Sequence, residues 1–208
     1  MRVFLVRHGQ TEWNVSNKAQ GHVDIGLDET GLAQAKLLGQ RLAGEGIERI
    51  LTSDLGRCRQ TIDPLVQATG IEPEIRLDLR ERTFGAMEGE DFFKLHTWMR
   101  EEAVRLGLPD WEVRPPGGES MADVSARLKD IEQEIRNETQ TLAVVSHGGA
   151  LAQLLTRLLK GSPETARAFR FSNCGVTVLS RRPDGSLLLD KFNDCLHTEV
   201  LRAPAPVS

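Results

Sequence analysis

Three segments of the chain repeat one pattern, in which a short apolar run leads directly into a cluster of polar residues. They are VFLV–RHGQT (3–11), RILT–SDLGR (49–57) and LAVV–SHGG (142–149). Such short runs, rich in β-branched residues, are typical of buried strands. Because the carboxyl ends of parallel strands meet at one edge of a sheet, the polar clusters are expected to lie together. The residues that would meet there are Arg7, His8, Ser53, Arg57, Ser146 and His147.

The rest of the chain alternates between helical and extended patterns. Helices are predicted over 28–44, 54–70, 90–107, 119–136 and 149–161, a further strand over 74–78, and a hairpin turning at PDG within 176–192. Ser53 or Asp54 is the natural cap of the second helix, and Pro64 predicts a kink or break within it. The predicted fold class is α/β, a three-layer α/β/α sandwich with a mostly parallel central sheet and an antiparallel edge hairpin.

Composition narrows the classes of function. The 208 residues carry a net charge of −4 and no apolar run long enough to span a membrane, so neither a nucleic-acid nor a membrane partner is expected. Three cysteines without CxxC spacing suit reduced thiols, and no signal-peptide pattern opens the chain, so a cytoplasmic protein is predicted. The loop at 109–118 does not read as a linker, and residues 1–208 are predicted to form one domain.

The residue types at the strand ends favour an anion site. Two arginines offer planar forks that match phosphate, and helix starts nearby would add backbone N–H groups. A metal site is not expected, because the five histidines show neither HxH nor HExxH spacing. The predicted ligand is therefore a phosphoryl group, bound without metal or cofactor.

Five ordered motifs carry a resemblance to a known family. LVRHGQTEWN (5–14), TSDLGRCRQT (52–61), LRERTFGAMEG (79–89), PGGES (116–120) and VVSHGG (144–149) together resemble the histidine phosphatase superfamily, also called phosphoglycerate mutase-like. FNDCLH (192–197) is similar to a segment of its bacterial broad-specificity and α-ribazole-type phosphatases. The chain departs from the family pattern at DIGL (24–27) and at Cys58, which replaces a common alanine.

The resemblance implies a role for each matched residue. His8 would be the nucleophile that forms a phosphohistidine, and Glu81 would protonate the leaving group. Arg7, Arg57 and a protonated His147 would bind the phosphoryl oxygens. The substrate-binding residues would be Asn14, Gln20, Gly21 and Gly148. Neutral imidazole is a competent nucleophile near neutral pH, provided that its second nitrogen donates a hydrogen bond, for example to a backbone carbonyl.

Three functions remain open from the sequence. A metal-independent phosphomonoesterase acting on a small phosphorylated metabolite is favoured over a cofactor-dependent phosphoglycerate mutase, because the lid-like insertion at about 85–118 is short and its loop offers only Arg114 as a fixed cation. An inactive phospho-ligand-binding module is the third, disfavoured because every matched group is present. The substrate is not identified, and both a monomer and a homodimer fit the family.

Several single residues keep alternative interpretations. Glu81 could form a surface ion pair with Arg80 or Arg82 instead of acting as an acid. His22 and His197 could lie at the pocket rim, whereas Cys58 is interpreted as a small core side chain. The aromatic residues of the insertion could contact the leaving group or form the insertion's own core.

Overall fold

The computed structural model describes residues 1–201, which form one six-stranded sheet with helices on both faces. The strands are β1 Arg2–Arg7, β2 Arg49–Ser53, β3 Glu74–Arg76, β4 Leu142–Ser146, β5 Val176–Arg181 and β6 Leu187–Asp194. The α-helices are α1 Glu12–Val15, α2 Glu29–Leu42, α3 Gly56–Thr69, α4 Phe92–Leu106, α5 Met121–Arg127, α6 Lys129–Asn137 and α7 Gly148–Leu158. None of these helices is long and apolar enough to cross a bilayer.

The strand order, β3-β2-β4-β1-β5-β6, places the three polar clusters side by side. Strands β3, β2, β4 and β1 are parallel, whereas β5 runs antiparallel to both β1 and β6. The register sets Arg7 opposite Ser146 and Thr52 opposite Val145. The first residues after β1, β2 and β4 therefore meet at one edge, as the repeated pattern predicts. The predicted fold class is confirmed.

Side chains of β1 divide between two cores, because successive residues of a strand face opposite sides of the sheet. Val3 and Leu5 pack in a cluster with residues of α5, α6 and α7, while Phe4 and Val6 pack with residues of α2 and α3. All four side chains are at most 1% exposed. The two cores fix the sheet between two helical layers and hold its strand ends in place.

Local details of the helices differ from the sequence predictions. Helix α3 begins after Leu55 without a side-chain cap, because Ser53 hydrogen-bonds His147 and Asp54 accepts bonds from Arg80. It also continues through Pro64 without a break. The predicted helix over 119–136 is two helices that meet at Leu128.

The insertion at residues 85–118 contains α4 and two short 3₁₀ turns. Its core is a cluster of Phe84, Leu95 and Met99 with Ala19, against which Met87, Phe92 and Trp98 pack. Backbone hydrogen bonds join its start to the loop after α1, from Ala19 to the Glu90 carbonyl and from Gly89 to the Ala19 carbonyl, each close to 3 Å. Phe92 and Trp98 of the insertion thus pack against this core, whereas Phe93 is 75% exposed. The boundary of a single domain at 1–208 stays a prediction, and residues 202–208 lie outside the described part of the chain.

Candidate active site

His8 lies directly after β1 and is fixed by its own backbone and ring. Its amide donates to the Ser146 carbonyl (3.0 Å), which extends the pairing of β1 with β4. Nδ1 lies 2.7 Å from the Gly9 carbonyl, which can only accept, so Nδ1 carries the proton. The other nitrogen, Nε2, therefore keeps its lone pair. The arrangement provides a buried, oriented imidazole nucleophile.

Arg7 is anchored at one end of its guanidinium and unpaired at the other. Its Nη1 donates to the Phe171 carbonyl (2.7 Å), whereas its buried Nε has no partner among residues 1–201. A Cβ on Gly148 would lie 3.6 Å from that Nε, so Arg7 lies against the first residue of α7. An unpaired cationic N–H beside a helix N-terminus is a favourable place for an anion.

Arg57, the second residue of α3, is fully buried. It donates from Nη1 to the Val23 carbonyl (2.9 Å), from Nη2 to the Gly21 carbonyl (2.8 Å) and from Nε to Nδ1 of His147 (3.1 Å). Gly21 has φ +51°, and a Cβ there would fall 2.0 Å from Oε1 of Glu88. The pocket-wall position predicted at Gly21 thus requires glycine and orients the arginine.

His147 is neutral in this arrangement, and the prediction of a protonated imidazole is wrong. Because Nδ1 accepts a hydrogen bond from Arg57, the proton lies on Nε2, which is 3.0 Å from the Ser53 hydroxyl. Burial, the charge of Arg57 and the neighbouring His8 hold the pKa of His147 well below its ordinary value. The two imidazole rings lie 5.2 Å apart. The ring of His147 therefore completes the wall of the site without adding charge to it.

Glu81 lies in the site and not at a surface ion pair. Its carboxylate accepts from the backbone amides of Gly149 (2.9 Å), Ala150 (3.1 Å) and Arg82 (2.8 Å), two of them in the first turn of α7. The ion-pair alternative is wrong because Arg80 binds Asp54, and the guanidinium of Arg82 binds the backbone carbonyls of Glu119 and Val113. The carboxylate is thus held at the same helix N-terminus as Arg7.

Two side chains that the sequence did not single out as site residues hold the backbone of Glu81. Its carbonyl accepts from Nη2 of Arg127 (2.9 Å) and lies 2.8 Å from Nε2 of His22. Arg127 also donates to the Asp78 carbonyl (2.6 Å) and pairs with Glu119. His22, proposed for the rim, therefore positions the segment that carries Glu81. No local signal marked the role of Arg127 beside Glu81, because the two carbonyls that it binds there are more than 45 residues away in the chain.

Asn14 forms a capping box with Thr11 at the start of α1, and its role as a substrate-binding residue stays a prediction. Its Oδ1 accepts from the Thr11 amide (3.1 Å) and from Nδ2 of Asn173 (3.1 Å), which leaves its own amide group as a donor. Asn173 also donates to the His8 carbonyl (3.0 Å) and was missed by the sequence analysis. Gln20 is 8% exposed, and its buried Oε1 has no partner among the described residues.

Three predicted or considered residues lie elsewhere. His197 pairs with Arg41 (2.9 Å), His96 stacks edge-on against Phe92, and Arg114 is bound by both oxygens of Asp123. Within residues 1–201, no three histidine, cysteine, aspartate or glutamate side chains are arranged to hold a metal ion.

Cys58 contacts the site as well as the core. Its Sγ lies 3.4 Å from Nε2 of His147, and it is fully buried. Burial raises the pKa of its thiol to about 12, so the group is uncharged at neutral pH. It therefore packs against the imidazole as a small neutral side chain.

Charges around His8 suit a nucleophile. Burial and the positive charges of Arg7 and Arg57 hold the pKa of His8 well below its ordinary value, so its imidazole is neutral near pH 7. A neutral base beside Arg7 and the buried Arg57 can attack an electrophile whose oxygens those arginines bind. The phosphorus atom of a phosphate ester is such an electrophile, because it carries oxygens that arginines can bind.

Comparison with known proteins identifies the class. Residues 3–194 match the family model described as histidine phosphatase superfamily, branch 1. The chain belongs to this superfamily, and the predictions of the family and of a histidine phosphatase-type enzyme are confirmed.

Relatives and solved structures of the family carry several functions. The chain is 38% identical to a probable phosphoglycerate mutase GpmB of Yersinia enterocolitica, over 85% of this chain and 83% of that protein. A mycobacterial glucosyl-3-phosphoglycerate phosphatase bound to VO3 has a TM-score of 0.78 and 30% identity, over 92% of this chain and 98% of that one. A phosphoserine phosphatase of Entamoeba histolytica in complex with 3-phosphoglyceric acid has a TM-score of 0.81 and 29% identity, over 95% and 98%.

Proposed function

We propose that this chain is a metal-independent phosphomonoesterase that hydrolyses a small phosphorylated metabolite through a phosphohistidine on His8. The observation that carries the proposal is the fixed ring of His8, whose Nδ1–H is bonded to the Gly9 carbonyl while Nε2 stays available beside Arg7 and Arg57. Family membership supports the same chemistry.

In the first step Nε2 of His8 attacks phosphorus, and the bond from phosphorus to the ester oxygen breaks. Arg7 and Arg57 bind the phosphoryl oxygens, over which the transition-state charge is spread. With Glu81 protonated, its proton passes to the departing oxygen. In the second step a water attacks phosphorus, Glu81 accepts the water's proton, and the P–N electron pair returns to His8.

The position of Glu81 supports its double role. Its carboxylate oxygens are held by three backbone amides at the N-terminus of α7, the helix that follows His147. These three amides fix the position of the carboxyl group beside the start of α7. His22 and Arg127 both contact the Glu81 carbonyl, and these contacts hold the same segment in place.

Phosphoglycerate mutase is the second candidate, favoured by the names of the relatives. A mutase must retain its phosphohistidine until the product re-binds, and must grip the substrate carboxylate. The insertion's loop offers Arg114 for that grip, but Asp123 binds this arginine through two bonds of 2.6 Å. This pairing supports the phosphatase over the mutase.

Three of the ligands that the solved relatives' descriptions name share a chemical feature, which the α-ribazole-5'-P named for another solved structure lacks. Glucosyl-3-phosphoglycerate, phosphoserine and 3-phosphoglyceric acid each carry a carboxylate close to the phosphate ester. Phosphomonoesters with a carboxylate are therefore the first compounds to test on this chain.

A cytoplasmic location and independence of metal complete the proposal. Cys58, Cys174 and Cys195 are all free thiols, which supports a reducing compartment. The chemistry above uses side chains alone, so turnover should survive EDTA.

The deciding experiment supplies 3-phosphoglycerate with a catalytic amount of 2,3-bisphosphoglycerate and follows both 2-phosphoglycerate and free phosphate. A panel of phosphomonoesters, ranked by kcat/KM, runs beside it. The proposal expects phosphate release from at least one ester to exceed isomerisation. Isomerisation that outpaces phosphate release from every ester would establish the mutase.

A further inference from the structure

Arg170 is an exposed cation next in the chain to a residue of the site, and the phosphoryl chemistry does not use it. It directly precedes Phe171, whose carbonyl binds Nη1 of Arg7 at 2.7 Å. Arg170 is exposed, and it forms no ion pair with any of residues 1–201. An exposed arginine therefore adjoins the residue that anchors the phosphoryl-binding guanidinium.

The position of Arg170 beside Phe171 also brings its charge near Arg7. Burial is the main cause that lowers the pKa of Arg7, the charge of Glu81 opposes this, and the charges of Arg57 and Arg170 lower it further. Arg170 is thus close enough to repel Arg7. Two guanidinium groups held near one another are stabilised when an anion lies between or beside them.

Three other arginines of the chain already form ion pairs with carboxylates. Arg167, three residues before Arg170, forms an ion pair with Asp110 of the insertion. Arg114 is bound by Asp123, and Arg80 by Asp54. The Arg167 pair is a contact between the segment before Arg170 and the insertion. Arg170 itself forms no ion pair with any of residues 1–201, so its charge is available to a ligand.

We propose that Arg170 is a specificity-determining residue that binds a carboxylate on the leaving group of the substrate. Arg7 and Arg57 hold the phosphoryl oxygens, so a further arginine at the rim is available to a second anionic group on the same molecule. Its planar fork matches a carboxylate bidentately. The proposal rests on the proposed function and narrows its substrate class to phosphomonoesters that carry a carboxylate a few bonds from the phosphate.

The test uses two pairs of substrates that differ in the carboxylate. O-phosphoserine is paired with O-phosphoethanolamine, and 3-phosphoglycerate with glycerol 3-phosphate. For Arg170→Ala, kcat/KM should fall by about 10–100-fold on the carboxylated member, mainly because KM rises. This is the range expected for the loss of one hydrogen bond between charged groups. On the other member it should change by less than about threefold, since the phosphoryl contacts remain.

Two variants serve as controls. Arg182→Ala removes an exposed arginine from the turn between β5 and β6. It should leave kcat/KM unchanged on both members of each substrate pair. Arg170→Lys keeps the charge without the fork and should restore part of the lost kcat/KM on the carboxylated substrates. Equal losses on both members of a pair, or no loss on either, would overturn the role of Arg170.

Failure of the proposed function gives a different pattern. If the wild-type chain hydrolyses neither p-nitrophenyl phosphate nor any of the four esters, the phosphatase proposal fails while Arg170 remains testable. Titration calorimetry with 3-phosphoglycerate and glycerol 3-phosphate then replaces turnover. Weaker binding of 3-phosphoglycerate alone to Arg170→Ala supports the carboxylate contact, and equal binding by both proteins refutes it.

Discussion

Replacing Glu81 by glutamine separates proton transfer from positioning. The carboxylate accepts one hydrogen bond at Oε2, from Gly149, and two at Oε1, from Ala150 and Arg82. Glutamine has the same shape, but one of its two terminal atoms becomes an N–H₂ donor. With its carbonyl oxygen placed at Oε1, the amide group faces the Gly149 N–H. One hydrogen bond is lost, and two donors are left opposed.

The magnitude of this structural effect can be estimated. Leaving one buried donor unsatisfied costs about 1–3 kcal/mol. If about 1.4 kcal/mol of this cost or less acts in the transition state, the rate falls by roughly tenfold or less. Loss of a general acid costs about 10²–10⁴ when the leaving group is a poor one. The first effect applies to every substrate. The second applies only where the departing oxygen needs a proton.

The assay compares an alkyl ester, such as glycerol 3-phosphate, with p-nitrophenyl phosphate, whose leaving group is stable as an anion. For Glu81→Gln, kcat on the alkyl ester should fall by about 10²–10⁴, and on p-nitrophenyl phosphate by roughly tenfold or less. Equal losses on the two substrates would refute Glu81 as the acid.

A matched control is available in the same wall of the site. Glu88 also binds backbone amides, those of His22 (2.8 Å) and Phe84 (3.1 Å), but both through Oε1 alone. Its glutamine variant can keep these bonds. We expect Glu88→Gln to change kcat on both substrates by the same small factor.

Three further predictions concern the nucleophile His8, the phosphoryl-binding Arg57 and the dependence of stability on pH. Rapid quenching should trap an acid-labile, alkali-stable phosphoenzyme that His8→Ala abolishes; a labelled species that persists in the variant would exclude His8. Arg57→Ala should lower kcat by about 10²–10³, the loss for one preorganised donor, measured on p-nitrophenyl phosphate, and an effect below tenfold would contradict its role. Because the folded-state pKa values of His8 and His147 are lowered, the unfolded chain binds more protons below pH ~6.5, and stability should fall as pH falls, by up to ~1.4 kcal/mol per pH unit for each residue. Urea unfolding between about pH 5 and 7 measures this slope, and His147→Gln should reduce it.

Sequence patterns predicted the sheet edge because each strand is a local apolar run with its polar residues directly after it. β1, β2 and β4 are such runs, and their parallel pairing brings His8, Arg57 and His147 together without any long-range information beyond the fold class. Family motifs supplied Glu81, which no strand-end pattern marks.

Residues that act across long sequence separations could not be predicted in the same way. Asn173 bonds the His8 carbonyl from 165 residues away, and Arg127 bonds the Glu81 carbonyl from 46. Both contacts are to backbone atoms, so neither requires a complementary side chain that a motif could show. The cap predicted at Ser53 failed for a related reason: its hydroxyl is used by His147, 94 residues away.

The charges around the site favour binding of an anionic ligand over protonation of the two imidazoles. Both imidazoles are kept neutral by burial and by the arginines, so the positive charge at the sheet edge comes from Arg7 and Arg57. Neither arginine forms an ion pair with a carboxylate in the described part of the chain; their protein partners are carbonyl oxygens and the ring of His147. Burying a cation without a counter-ion is costly, and burial lowers the pKa of both guanidinium groups. A phosphoryl group bound at this edge supplies the opposing charge, and the same interaction then strengthens as charge develops on its oxygens during attack by His8.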